Sequence, residues 1–130
     1  MTDTPIIDLL MVTHARPYYT RLSLPRLLDS CDERTRVWVW HNGTHAETLE
    51  VVRANLDHPR LYRFHHSISN ELLREPINWF FENSDGHLLG FVNDDCLVSE
   101  GWVERLSRAH QDVAQFGVIA CSGPGAFTFQ

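Results

Sequence analysis

Asn93-Asp94-Asp95 follows directly on the apolar run ending at Val92. Two neighbouring carboxylates repel each other unless a cation or hydrogen-bond donors offset them. A hard divalent ion, Mn2+ or Mg2+, does this with one carboxylate and fills its shell with water and substrate phosphate oxygens. Taken alone, the triplet is better explained as turn chemistry. Only its place in the fold favours a cation. The other candidates for chemistry are weaker. His41 and His45 are four apart but straddle Asn42-Gly43, so they do not share a helix face. His65-His66 has no Cys or carboxylate at zinc-ligand spacing, and Cys96 reads as a buried thiol.

The elements that must position the acidic pair alternate between short apolar runs and amphipathic segments. Ile6–Val12 reads as a buried strand, and Pro17 opens a helix to about Ser30, with a kink expected at Pro25. Arg36–Trp40 is a second strand that stops at Asn42-Gly43. Thr44 and Glu47 have capping-box spacing ahead of a helix to about Leu56. Leu61–Phe64 is a short third strand, and His65–Asn70 reads as a loop. Glu71–Asn83 is helical in pattern, with Pro76 opening a fresh turn before Trp79, Phe80 and Phe81, three aromatics expected in the core. His87–Val92 is a fourth strand. Ser99 is placed to cap a helix to about Gln115 with Trp102, Leu106, Ala109 and Val113 on one face. Val118–Cys121 reads as a fifth strand before Gly123-Pro124-Gly125. The order predicts an α/β fold: a mostly parallel sheet with helices on both faces.

In such sheets the ligand crevice lies beyond the carboxyl ends of the strands, where the strand order reverses. An order of 3-2-1-4 puts that point between the first and fourth strands. Thr13–Pro17, His41–Gly43 and Asn93–Asp95 then converge, and the position favours a cation at the acidic pair. No G-x-G-x-x-G follows the first strand and no Walker-type loop occurs, which disfavours the usual dinucleotide and P-loop tenants.

The 130 residues carry 11 basic and 17 acidic side chains, a net charge of −6. That balance argues against a nucleic-acid partner, and the length suits one domain, residues 1–130. No apolar run approaches the roughly 20 residues of a membrane span, and no signal peptide is evident. Three widely spaced cysteines, Cys31, Cys96 and Cys121, fit a reducing, cytoplasmic setting.

Three stretches in register resemble the nucleotide-sugar half of family 2 glycosyltransferases of the GT-A fold. They are Ile-Asp-Leu-Leu-Met-Val-Thr-His-Ala-Arg-Pro, Val-Trp-Val-Trp-His-Asn-Gly-Thr and Gly-His-Leu-Leu-Gly-Phe-Val-Asn-Asp-Asp-Cys-Leu-Val-Ser-Glu-Gly-Trp, and their order spans Ile6 to Cys121. The resemblance implies a nucleotide-diphospho-sugar donor. Thr13, His14, Arg16 and Pro17 match the loop that lies against the base and ribose. Asp94 matches the acid on the ribose, and Asp95 the ligand of the Mn2+ or Mg2+ on the diphosphate. Arg74 falls near an arginine that helps neutralise the diphosphate, although Glu75-Pro76 departs from the pattern there. In the turn His41-Asn42, His41 stands where the family has a base-pairing Asp, and Asn93 replaces the first acid of the triplet.

A neutral imidazole offers one donor and one acceptor, and an Asn can still bond a ribose hydroxyl. The implied activity is sugar transfer to an acceptor that is a glycan, a lipid or a protein. The catalytic base falls after the fifth strand and is not named; the acceptor-binding half is expected to lie beyond this chain. Oligomeric state stays open. A non-catalytic nucleotide- or partner-binding module and a metal-dependent phosphohydrolase are the alternatives, because one fold hosts many chemistries.

Overall fold

A computed structural model describes residues 5–112 and 117–118 of the chain. Its contacts divide the chain into two compact units, Met1–Val98 and Ser99–Gln130. The first unit holds β1 (Ile7–Thr13), α1 (Pro17–Asp29), β2 (Thr35–Asn42), α2 (Ala46–Arg53), β3 (Leu61–Ser67), α3 (Arg74–Asn83) and β4 (Leu88–Phe91). The second contributes α4 (Trp102–Asp112). The four described strands form one parallel sheet in the order β3-β2-β1-β4, as the sequence predicts.

The pleat divides the strand side chains between the two faces of the sheet. Leu10, Trp38 and Trp40 share one face and form a buried cluster with Phe80 of α3, flanked by Val12, Ile77 and Trp79. Trp38 is fully buried there and meets Trp79 and Phe80 edge to face. The alternate residues Leu9, Met11, Val37 and Val39 are buried on the opposite face. α1 and α2 pack on each other. In α1, Thr20, Leu24, Leu27 and Leu28 recur at helical spacing and give the helix its apolar stripe.

Several element boundaries differ from the sequence expectation. β2 runs on through His41 and Asn42, and β3 takes in His65, His66 and Ser67, because the parallel ladder continues to the pair Asn42–Ser67. Backbone pairing with β2 overrides the polarity of those residues. Tyr62 is the extra residue where the β2–β3 register shifts, and both it and Arg63 lie against Trp38. Pro17 occupies the start of α1, which continues through Pro25 to Asp29. At α2 the cap is His45, not Thr44: its Nδ1 accepts from the Thr48 amide, and the helix ends at Arg53.

α3 begins at Arg74 rather than Glu71. Phe80 is buried as expected, Trp79 is half-buried, and Phe81 is exposed. Cys96, expected in the core, is also exposed. In the second unit α4 starts at Trp102, and the Ser99 carbonyl, not its hydroxyl, receives the Trp102 amide. Val103 and Ser107 are its buried residues. Val113, Gln115 and Cys121, with most of the expected fifth strand Val118–Cys121 and the glycine turn after it, lie outside the described residues. Among the described residues no helix is long and apolar enough to cross a membrane.

At the amino end of the sheet, Asp8 of β1 is fully buried beside its β2 register partner Arg36. Arg36 donates to it twice, Nε to Oδ1 at 2.7 Å and Nη2 to Oδ2 at 2.8 Å, and Ser84 donates a third bond. Burial alone would raise the Asp8 carboxyl, but the bonds from Arg36 and Ser84 outweigh it and hold the group below its ordinary value. The ionised carboxylate therefore stabilises the fold at neutral pH. That contribution is complete above the ordinary carboxyl value and is lost as pH falls through the depressed one. Arg36→Met leaves the charge buried without its partner and is expected to cost about 3–5 kcal/mol in urea unfolding at pH 7. The deficit should shrink as the pH is taken down through the acid range, since protonating Asp8 removes the unpaired charge.

Candidate functional site

β1 pairs with β2 on one side and β4 on the other, so the chain reverses direction across the sheet at the carboxyl end of β1. The loop after β1 and the loop after β4 leave the sheet side by side there. Arg16, the residue before α1, joins them: its Nη2 reaches Asp94 Oδ1 at 2.8 Å and its Nη1 reaches Asp95 Oδ2 at 3.3 Å. The two carboxylates are not equivalent. The Asp94 side chain is 5% exposed and that of Asp95 41%. Burial pushes the Asp94 carboxyl above its ordinary value, and neighbouring Asp95 adds to this while Arg16 opposes it. Ser23 holds the Asp94 backbone from below, its Oγ donating to the carbonyl at 2.6 Å. Sequence reasoning missed Ser23; the available signal was a hydroxyl in the middle of the apolar stripe of α1.

The third turn is tied to the first by hydrogen bonds. Thr13 Oγ1 and His41 Nδ1 share one at 2.8 Å, and both residues are fully buried. His41 Nε2 is buried and has no hydrogen-bond partner among the described residues. Burial, followed by the nearby His66, His14 and His45, pushes the imidazole down to about 4, so it is neutral at pH 7. His41 is thus a buried support for the end of β1, not an exposed contact. His14 Nδ1 donates to the Asn42 carbonyl at 2.8 Å, and His66 Nε2 donates to the Gly43 carbonyl at 2.7 Å. Gly43 has φ of 86°, and a Cβ there would stand 3.3 Å from the His14 ring, so the turn needs glycine for both conformation and space.

Asn42 faces the chain, not the crevice. Its Oδ1 accepts from Trp40 Nε1 at 2.8 Å and from the Glu71 amide at 3.0 Å, while Nδ2 donates to the Leu72 carbonyl at 2.8 Å. These bonds hold Leu72 in the left-handed region, φ 53°, a strained conformation for a branched side chain. The sequence-predicted residues fall into three bonded groups: Arg16 with Asp94 and Asp95, Thr13 with His41, and His14 with Asn42. Pro17 sits half-buried at the first turn of α1, and Asn93 is exposed in the turn closed by its carbonyl and the Cys96 amide. Arg74 is exposed at the start of α3 and bonds to none of them.

Among the described residues no group of three or more His, Cys, Asp or Glu side chains is placed to hold a metal ion. An all-protein cage of the zinc or calcium kind is therefore missing from this part of the molecule. A half-exposed carboxylate backed by a second one suits a different ion. Mg2+ and Mn2+ keep waters and phosphate oxygens in their shells and need one or two carboxylates from the protein. Asp95, with Asp94 behind it, fits that donor set.

Comparisons with known proteins bear on the family and the fold. No curated protein sequence matches the chain. Staphylococcus aureus TarS, solved with UDP-GlcNAc, is similar in structure at 15% identity and a TM-score of 0.68, over 82% of this chain and 31% of TarS. A mannosyltransferase from Pyrobaculum calidifontis, solved with GDP-Man and Mn2+, is similar at 14% identity and a TM-score of 0.74, over 86% of this chain and 34% of that one. At such identities the likeness is one of fold, here of the GT-A type, and the chain spans about a third of each neighbour. The profile of Glycosyl transferase family 2 matches residues 8–127, nearly the whole sequence, and the chain belongs to that family.

Proposed function

We propose that this chain is the donor-binding part of a metal-dependent glycosyltransferase, one that takes a sugar from a nucleotide-diphospho-sugar. The observation that carries the reading is the carboxylate pair Asp94–Asp95 at the β1/β4 reversal, bridged by Arg16, in a family 2 chain. The donors in the neighbours, UDP-GlcNAc and GDP-Man, and the Mn2+ in one of them support the same class of ligand.

The residues divide the work by burial. Asp94, buried and fixed through Ser23, is rigid enough to orient a ribose hydroxyl. Asp95, more exposed, is available to a divalent cation; when bound, that ion stabilises the charge growing on a nucleoside diphosphate leaving group. His14 and Asn70, which meet at 3.5 Å, form the exposed wall of the crevice over the Gly43 turn, on the side proposed for the base. Arg74 at the head of α3 is the remaining cation proposed for the diphosphate. The buried Thr13–His41 pair takes the place of an acidic base contact and supports that wall from beneath.

Unfolding temperature should rise when UDP or GDP is added together with Mn2+ or Mg2+, and not with nucleotide alone. Ligand at about 100 times its Kd adds roughly 2.7 kcal/mol. Asp95→Ala should abolish the shift without lowering the stability of the ligand-free protein by more than about 1 kcal/mol, because its arm of the ion pair is exposed. No shift with any nucleotide and metal refutes the proposal. Binding without sugar transfer by the native gene product favours a non-catalytic module, and phosphate release without an acceptor favours a phosphohydrolase.

A second outcome follows from His41. Folding lowers its value from 6.5 to about 4, so the unfolded chain takes up this proton first as pH falls. Stability should decline from about pH 6.5 towards pH 4 on this account. His41→Asn, which keeps a polar group near Thr13 and does not titrate, should flatten that part of the profile in thermal melts and leave the steeper acid limb intact.

A further inference from the structure

Arg16 does not behave as a surface arginine, nor only as part of a ligand-facing loop. Its guanidinium lies between two carboxylates from the other side of the switch point, and its hold on them is uneven. The bond to buried Asp94 is 2.8 Å and that to exposed Asp95 is 3.3 Å. The short arm ends on a side chain only 5% exposed, where the pair is shielded from water. The long arm ends on a side chain with 41% exposure, where an ion pair is weak and water competes. Arg16 itself is half-exposed, so its guanidinium has room to turn. Its backbone carbonyl accepts from the Thr20 amide at 3.0 Å and the Thr20 hydroxyl at 2.9 Å, so the main chain stays fixed while the side chain moves.

We infer that Arg16 is a resident counter-ion for the acidic pair: it releases Asp95 when a hard divalent cation binds, and keeps Asp94. This inference rests on the metal-dependent reading above and adds a residue that sets the affinity for the ion. In the ligand-free protein, Arg16 neutralises the repulsion between Asp94 and Asp95. With the cation bound, the exchange at Asp95 frees one edge of the guanidinium, facing the crevice, for an anionic ligand. Metal and arginine therefore compete for one carboxylate, and the arginine lowers the affinity for metal in the absence of nucleotide.

The test is a Mn2+ titration of the 130-residue chain, followed by electron paramagnetic resonance, with and without UDP or GDP. Arg16→Met should tighten binding of Mn2+ alone by about threefold to fivefold, the range an exposed arm of an ion pair supports. It should also lower the unfolding temperature of the ligand-free protein, because Asp94 loses its partner. Arg16→Lys retains a cation for Asp94 but cannot bridge both carboxylates. It should tighten Mn2+ while keeping stability closer to that of the parent, which covers the case in which the Met variant folds poorly. Arg21→Met makes the same change in net charge on α1 and should leave Mn2+ affinity unaltered. Unchanged or weaker Mn2+ binding in both Arg16 variants overturns the exchange, as does equal tightening by Arg21→Met. If the parent binds no Mn2+ even with UDP or GDP present, the metal-dependent reading itself fails. Intact Mn2+–nucleotide binding with unresponsive Arg16 variants removes only the exchange.

Discussion

The constraint on which the site depends is the double pairing of β1. β1 leads through α1 to β2 on one side, whereas β4 on its other side is reached from β3 through α3, so the strand order reverses at β1. Sheets of this topology bind ligands at that reversal. The loops after β1 and β4 meet there, and both carry charge. An arginine from one loop meeting two aspartates from the other is how this chain makes that junction stable. The same contact brings together the residues most suited to an anionic ligand and its metal.

The two ends of the sheet use one kind of pair for opposite purposes. At the amino end, Asp8 has no exposure and takes two bonds from Arg36 and one from Ser84, so every strong interaction is closed off. At the carboxyl end, Asp94 is nearly as buried but shares its arginine with Asp95, which is open to solvent. A fully enclosed pair locks two strands together, because breaking it strands a charge in a poor solvent for charge. A pair with one exposed member can exchange that member cheaply. Burial, not residue type, separates structural carboxylates from those available for chemistry.

Much of this organisation was legible in the residues. The strand order, the four described strands, the helix begun by Pro17 and the convergence of three turns all follow from apolar periodicity and the rules for parallel sheets. The departures have physical causes. His65, His66 and Ser67 look like loop by polarity, yet they extend β3 because β2 presents unpaired backbone out to Asn42. His45 displaces Thr44 as a cap because its ring nitrogen reaches the Thr48 amide. Cys96 lies on the exposed turn that carries Asp95, whereas its composition alone suggested burial. For β3 and Cys96 a non-local partner or a loop's path outweighed the local preference, whereas the His45 cap is a local bond three residues along.

The site divides along the same line. By itself the sequence determined which groups could act: an acidic pair at a strand end, a histidine in place of an acid, an Arg-Pro entry to the first helix. It also pointed to the family, since three stretches in register match its pattern in order and spacing. Only the tertiary structure decided how those groups are arranged. It buried His41 and Asn42, and exposed Asp95 while burying Asp94. It also put Arg16 between two carboxylates 78 and 79 positions away. Exposure and charge pairing depend on which loops meet, and that is set by how distant strands pair, so no local pattern of residues records it.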